Sequence, residues 1–100
     1  MAVDAAEVAY EDGGAKARYV YRAEGAEAEL VLSKVGDSRA IIEHTEVPDV
    51  MRGMGVGQAM VARAVADARA AGKKILPLCP FAAAQFRRHP DWEDVLDRRG

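Results

Sequence analysis

Read for its alternation of apolar and polar side chains, the chain falls into three extended runs, a long helix, a fourth extended run and a shorter helix. Ala17 to Glu24 sets Tyr19 and Tyr21 against Arg18, Val20 and Arg22, the period of two expected of a half-buried strand. Gly25 then turns the chain. Ala26 to Val35 repeats the period, with Ala28, Leu30 and Leu32 on one face and Glu27 and Glu29 on the other. The two runs predict a hairpin in which Arg18 and Arg22 meet those glutamates. Gly36-Asp37-Ser38 makes a second turn. Arg39 to Val47 carries apolar residues on both faces, Ile41 and Val47 against Ala40 and Ile42, which predicts a central strand.

From Gln58 to Ala71 there is neither Gly nor Pro, and Met60, Val61, Ala64, Val65 and Ala68 form one stripe. Gln58, Arg63, Asp67 and Arg69 lie off it, so the pattern predicts a helix with one side on the sheet. Gly72 is placed to end that helix, and Arg69, Lys73 and Lys74 suit its negative end. Lys74 to Cys79 predicts a short strand. Strand, helix and strand form a right-handed crossover, which sets this strand parallel to Arg39–Val47. Pro80 to Arg88 predicts a second helix that His89-Pro90 terminates, and Asp91 is placed to cap a last short helix with Trp92, Val95 and Leu96. Met1 to Lys16 is Ala-rich and contains Asp12-Gly13-Gly14; it is expected to be a loosely tied lead-in with at most a short strand near Val8 to Tyr10. The expected fold class is α/β (α+β), one domain over residues 1–100. Its sheet should be mostly antiparallel, with about four strands, one parallel crossover and two or three helices.

Composition narrows the class. One hundred residues allow one domain with a modest core, and an apolar half with 30% charged residues argues for a globular chain. A net charge of −2 gives no global attraction to nucleic acid or to a membrane surface. No apolar run approaches the roughly 20 residues that span a bilayer. Met1-Ala2-Val3-Asp4-Ala5-Ala6-Glu7 lacks the basic start and apolar stretch of a signal peptide, so a cytoplasmic location is expected. The lone Cys79 excludes an internal disulfide and fits a reducing compartment. With only His44 and His89 beside it, a structural zinc site is not expected.

The candidate chemistry gathers on Val47-Pro48-Asp49-Val50-Met51-Arg52-Gly53-Met54-Gly55-Val56-Gly57-Gln58. A Gly-rich turn that opens a helix leaves N–H groups pointing outward at the positive end of the helix dipole. That is an anion site built from backbone, and diphosphate suits it. Two common diphosphate signatures fail here. The dinucleotide fingerprint would need glycine where Gln58 or Met60 stands, and the nucleotide-triphosphate loop would need Gly-Lys-Ser/Thr.

Arg52-Gly53-Met54-Gly55-Val56-Gly57 instead resembles the Arg/Gln-x-x-Gly-x-Gly/Ala pyrophosphate loop of GNAT-type N-acetyltransferases. His44-Thr45-Glu46-Val47-Pro48 before it and Pro77-Leu78-Cys79-Pro80-Phe81 after the helix resemble the minimal single-domain members of that family. The likeness runs from about Tyr19 to Leu96. It implies acetyl-CoA or coenzyme A as co-substrate and an amine as acceptor. The CoA-binding residues would be Val47, Arg52, Gly53, Met54, Gly55, Val56, Gly57, Gln58 and Pro77. It also gives Pro77 a use, since in GNAT folds two parallel strands splay there and the pantetheine arm lies in the gap. The alternative is an edge strand, where a proline costs nothing. Arg63, Arg69, Lys73 and Lys74 are candidates for the ribose phosphate, against the reading of a solvated helix face.

Three residues are candidates for catalysis. Cys79 precedes Pro80 and so falls at a helix N-cap, where the dipole stabilises a thiolate; the competing reading is a small apolar filler. His44 carries an imidazole, a side chain suited to general base catalysis, or it is a hydrogen-bonded structural histidine. Glu46 shares its face and can deprotonate an ammonium through water, or it is a solvent-facing carboxylate. Many GNAT enzymes carry a tyrosine on the helix after the last parallel strand as the acid. This chain has none after Tyr21, and Gln85 and Phe86 fill the middle of that helix. The leading expectation is therefore a GNAT-type N-acetyltransferase, with a non-catalytic CoA-binding module as the alternative. A partner-binding domain is a third reading.

Overall fold

A computed structural model of the chain describes residues 3–98. Five strands lie in the spatial order of the sequence, β1 (Ala9–Asp12), β2 (Lys16–Ala23), β3 (Ala26–Val35), β4 (Arg39–Glu46) and β5 (Lys74–Pro77). The first four pair antiparallel and β5 pairs parallel to β4. Helix α1 (Val56–Ala71) makes the crossover between them, and α2 (Pro80–Arg88) follows β5.

The hairpins form where turn chemistry demands. Glu24 and Gly25 both have positive φ, 54° and 72°, which gives the two-residue turn whose twist matches the strands it joins. Arg18 bonds Glu27 and Glu29 at 2.8 Å and Arg22 bonds Glu27 at 2.9 Å, while Glu11 of β1 joins both arginines. Beneath this layer Val20 is fully buried, although it faces away from the helices. The other face presents Ala17, Tyr19, Ala28, Leu30, Leu32 and Ile42 to α1. The expected helix stripe meets them: Met60, Val61, Ala64, Val65 and Ala68 are all buried. Each fully buried Leu, Ile, Val or Met contributes about 1.5–3 kcal/mol. Gly72, at φ 70°, closes α1 with Gly72 N–H on the Arg69 carbonyl and Lys73 N–H on the Ala68 carbonyl.

Three expectations change. The lead-in is tied down: Asp4 and Glu7 form a capping box around Ala5–Glu7, β1 pairs with β2, and Val3 N–H bonds the Met54 carbonyl at 2.8 Å. Met1 and Ala2 lie outside the described residues. Asp91 is not a cap, because the 3₁₀ turn Pro90–Val95 starts one residue earlier and His89 takes the cap position without a side-chain bond. β5 ends at Pro77 rather than Cys79 because the chain turns there into the start of α2.

A fourth expectation, that Pro77 loosens the pairing of the parallel strands, changes as well. β5 is the edge strand, and Asp97 N–H reaches the outward carbonyl of Ile75. Leu78 N–H points inward to Ile42, so by alternation the position of Pro77 faces out, and its missing donor costs the ladder nothing. Pro77 therefore does not loosen the pairing. The strands part all the same: the last register pair is Ile42 with Pro77, and β4 runs on to Glu46 paired only with β3.

Candidate functional site

The site is built where three segments end together: the loop before α1, the end of β4 that β5 no longer pairs, and the start of α2. After β4, Asp49–Met51 forms a 3₁₀ turn that buries Met51. Gly53 and Gly55 then take φ of 84° and 73°, a region closed to most side chains, and Gly55 is the N-cap of α1. The helix thus begins at Val56, two residues before the sequence pattern placed it. Its first backbone bond runs from Ala59 N–H to the Gly55 carbonyl, which leaves the N–H groups of Val56, Gly57 and Gln58 ahead of it. Val47, Met51, Arg52, Gly53, Gln58 and Phe81 line a small pocket at this point.

Arg52 points outward and pairs with Asp49 at 2.8 Å, with both side chains more than four-fifths exposed. Such an exposed pair is worth little. Met54 is half-buried against the core, and Val47, packed against the same core, also lines the pocket. Gly57 differs from the other two glycines. Its φ is not positive, but a Cβ there would lie 2.7 Å from Cζ of Phe81, so its bare backbone serves a close approach. Arg63, Arg69 and Lys74 have structural partners: Asp67 for Arg63, Asp94 for Arg69 and the Asp94 carbonyl for Lys74. Arg69 sits about 20 Å along α1 from the loop, and Lys73 and Lys74 follow beyond the end of that helix.

Cys79 is the N-cap of α2, with Pro80 at the first helical position. Its Sγ lies 3.5 Å from the Thr45 hydroxyl, on the inner side of the parted strands. Burial pushes the thiol up, but the Ala82 N–H, the Thr45 hydroxyl and the Phe81 N–H outweigh it, and the net is below the ordinary cysteine value. No capping hydrogen bond closes on the thiol, so the α2 donors act through their field. Thr45 has no sequence signal of its own. The N–H groups of Leu78 and Cys79 both donate to the Ile42 carbonyl, at 3.2 and 3.1 Å, and are already committed.

His44 and Glu46 lie elsewhere. A bulge in the β3–β4 pairing matches Leu32 with Ile42 and Val31 with His44, which leaves Glu43 extra. Ile42 and Thr45 therefore face the helices, and Glu43, His44 and Glu46 face the open side of the sheet. There Glu43 takes Lys16 and Ser33, while His44 Nε2 lies 3.2 Å from Glu29 and 4.0 Å from Glu46. Arg18, with help from His44, holds the Glu29 carboxyl below the usual range. Glu29, His44 and Glu46 are the one grouping among the described residues with donor atoms close enough for a metal ion, all within 4.8 Å. Arg18 already occupies one oxygen of Glu29, and the group is largely open to solvent. The strand thus separates the catalytic candidates: Cys79 on the helix side, His44 and Glu46 on the other.

The sequence profile described as GCN5-related N-acetyl-transferase matches residues 18–95. The solution NMR structure of a Staphylococcus aureus protein assigned as a GCN5-like N-acetyltransferase superposes with a TM-score of 0.66 at 27% identity. The match covers 93% of this chain and 94% of that one. No curated protein matches the sequence.

Proposed function

The chain belongs to the GCN5-related N-acetyl-transferase family, and from that membership we propose that it takes acetyl-CoA at the α1 loop and transfers the acetyl group to an amine. The observation that carries this is the convergence of two helix starts on one parted strand pair. The free N–H groups of α1 suit a diphosphate, and Arg52 can leave Asp49 to join it. The unpaired edge of β4 beyond Ile42 suits the pantetheine arm, whose amides need backbone partners. The thioester then comes to Thr45 and Cys79.

In the transfer the amine nitrogen attacks the thioester carbonyl, the C–N bond forms, the C–S bond breaks, and a proton must reach the departing sulfur. The carbonyl oxygen needs donors. Leu78 and Cys79 N–H are spent on Ile42, so Thr45 is the residue placed to donate. Cys79 is placed to protonate the leaving thiolate on the helix side. His44, with Glu29 and Glu46 around it, is placed to take the amine's proton on the open side. Because β4 stands between them, His44 does not activate Cys79. This division favours direct transfer over an acetyl-Cys79 intermediate.

Thiol release from acetyl-CoA, followed colorimetrically across a panel of lysine peptides, polyamines and small amines, tests the proposal. Amine-dependent release that His44→Ala abolishes supports it. CoA binding without release from any amine would instead assign a binding module.

A further inference from the structure

Phe81 touches both halves of the site. Its ring lies on Gly57, where an added Cβ would meet Cζ at 2.7 Å and Cε2 at 2.9 Å. Real Cβ contacts are essentially never that short. Gly57 sits in the first turn of α1 without a positive φ, so its missing side chain answers to this ring and not to a backbone conformation. The other end of Phe81 sits in the first turn of α2, two residues after Cys79, and its N–H is one of the donors around the thiol. The ring is about one-third exposed, at the edge of the pocket that the loop makes with Val47, Met51 and Gln58. One side chain therefore spans from the α1 start to the α2 start.

We infer that Phe81 is a positioning residue that sets the first turn of α2, and so the donors around Cys79, against the α1 loop. The ring cannot approach Gly57 more closely, and α2 is anchored on its other side by the fully buried Ala82. With contact on one side and packing on the other, the height of the α2 first turn over the strand gap follows from the ring's seat. A methyl group at Gly57 lifts the ring by about 1 Å to restore ordinary van der Waals separation. That lift moves the Phe81 N–H away from Sγ. The inference rests on the proposed role of Cys79 for its purpose, but the contact itself does not need CoA.

The test is the pH–rate profile for iodoacetamide alkylation of Cys79 in the full chain with no CoA present. Gly57→Ala should raise the midpoint by about half a unit, which slows the reaction roughly threefold at pH 7. Adding Phe81→Ala to Gly57→Ala should return the profile to that of Phe81→Ala alone, the non-additivity of two groups in contact. A Gly57→Ala profile that stays in place would mean that the ring swings into solvent, and it overturns the inference. So does a double variant whose effects simply sum. Amide NMR gives an independent arm should Gly57→Ala fold poorly. Alkylating Cys79 should shift the Gly57 amide in the wild type and leave it unmoved in Phe81→Ala; equal shifts in both would also overturn the inference. Because no CoA is present, failure here leaves acetyl transfer standing, and absence of thiol release leaves this coupling standing.

Discussion

Replacing Thr45 with valine keeps the shape of the side chain and removes one hydroxyl from Cys79. In the neutral state the thiol donates to that hydroxyl at 3.5 Å; once the thiol ionises, the hydroxyl becomes the donor. A hydrogen bond to a charged group is worth about 1.5–3 kcal/mol when short and unshared. This one is long and the α2 donors remain, so its loss should cost about 0.7 kcal/mol, or roughly half a pKa unit. The Thr45→Val midpoint for alkylation should therefore rise by that amount. Cys79 is only 6% exposed, so its absolute rate also reports access, and the midpoint is the quantity to read.

Stability supplies the second arm of this test. A thiol held below its unfolded value contributes stability above the unfolded pKa of about 8.5, and that contribution is lost as pH falls through the folded value. Urea unfolding of wild type and Thr45→Val should therefore differ by about 0.7 kcal/mol more at high pH than at low pH. Any packing change from the extra methyl group is the same at both ends and cancels. An unchanged alkylation midpoint with a pH-independent stability difference would refute the assignment of Thr45 as a partner of the thiolate.

Two further substitutions probe the scaffold and the loop separately. Tyr19→Phe removes a 2.7 Å bond from a buried ring to Asp67, which keeps Arg63 as a partner. The expected loss is about 1 kcal/mol, read calorimetrically as a fall of about 4–8 °C in Tm; an unchanged Tm would show that the bond is worth nothing. Arg52→Ala breaks only an exposed pair, so stability should hold within about 0.5 kcal/mol. Its affinity for CoA, by calorimetry, should fall about fivefold, as for one exposed charge-assisted contact of roughly 1 kcal/mol; undiminished affinity would remove Arg52 from the site.

Most of the fold was legible because period and punctuation agreed. The α1 stripe, the Gly72 stop and the Arg–Glu layer of the β2–β3 hairpin follow from residue types at fixed spacing. β1 was legible only in part, as a short strand near Val8 to Tyr10, because a four-residue edge strand offers little periodicity. Its one signal was the turn itself: Asp12 accepts from Gly14 N–H, and Gly13 N–H reaches the Lys16 carbonyl. The early start of α1 was hidden because glycine argues against a helix interior, whereas Gly57 is fixed by Phe81 from another element. The site was half legible. The loop and the N-cap cysteine could be read locally, but strict alternation from Ile42 puts His44 on the helix side. The bulge at Glu43 reverses that and brings Thr45 to the thiol in its place. No single-strand pattern carries such a shift, since it belongs to the pairing.

If the start of α1 holds the diphosphate of CoA, titrating CoA into the labelled protein moves the amide resonances of that turn. The largest shifts are expected at Gly53, Gly55, Val56, Gly57 and Gln58, with a second group at Thr45 and Cys79. The free N–H groups lie at the first set, and the parted strands lead from there to the second. A saturating titration whose shifts fall elsewhere, or no shifts at all at millimolar CoA, would contradict it.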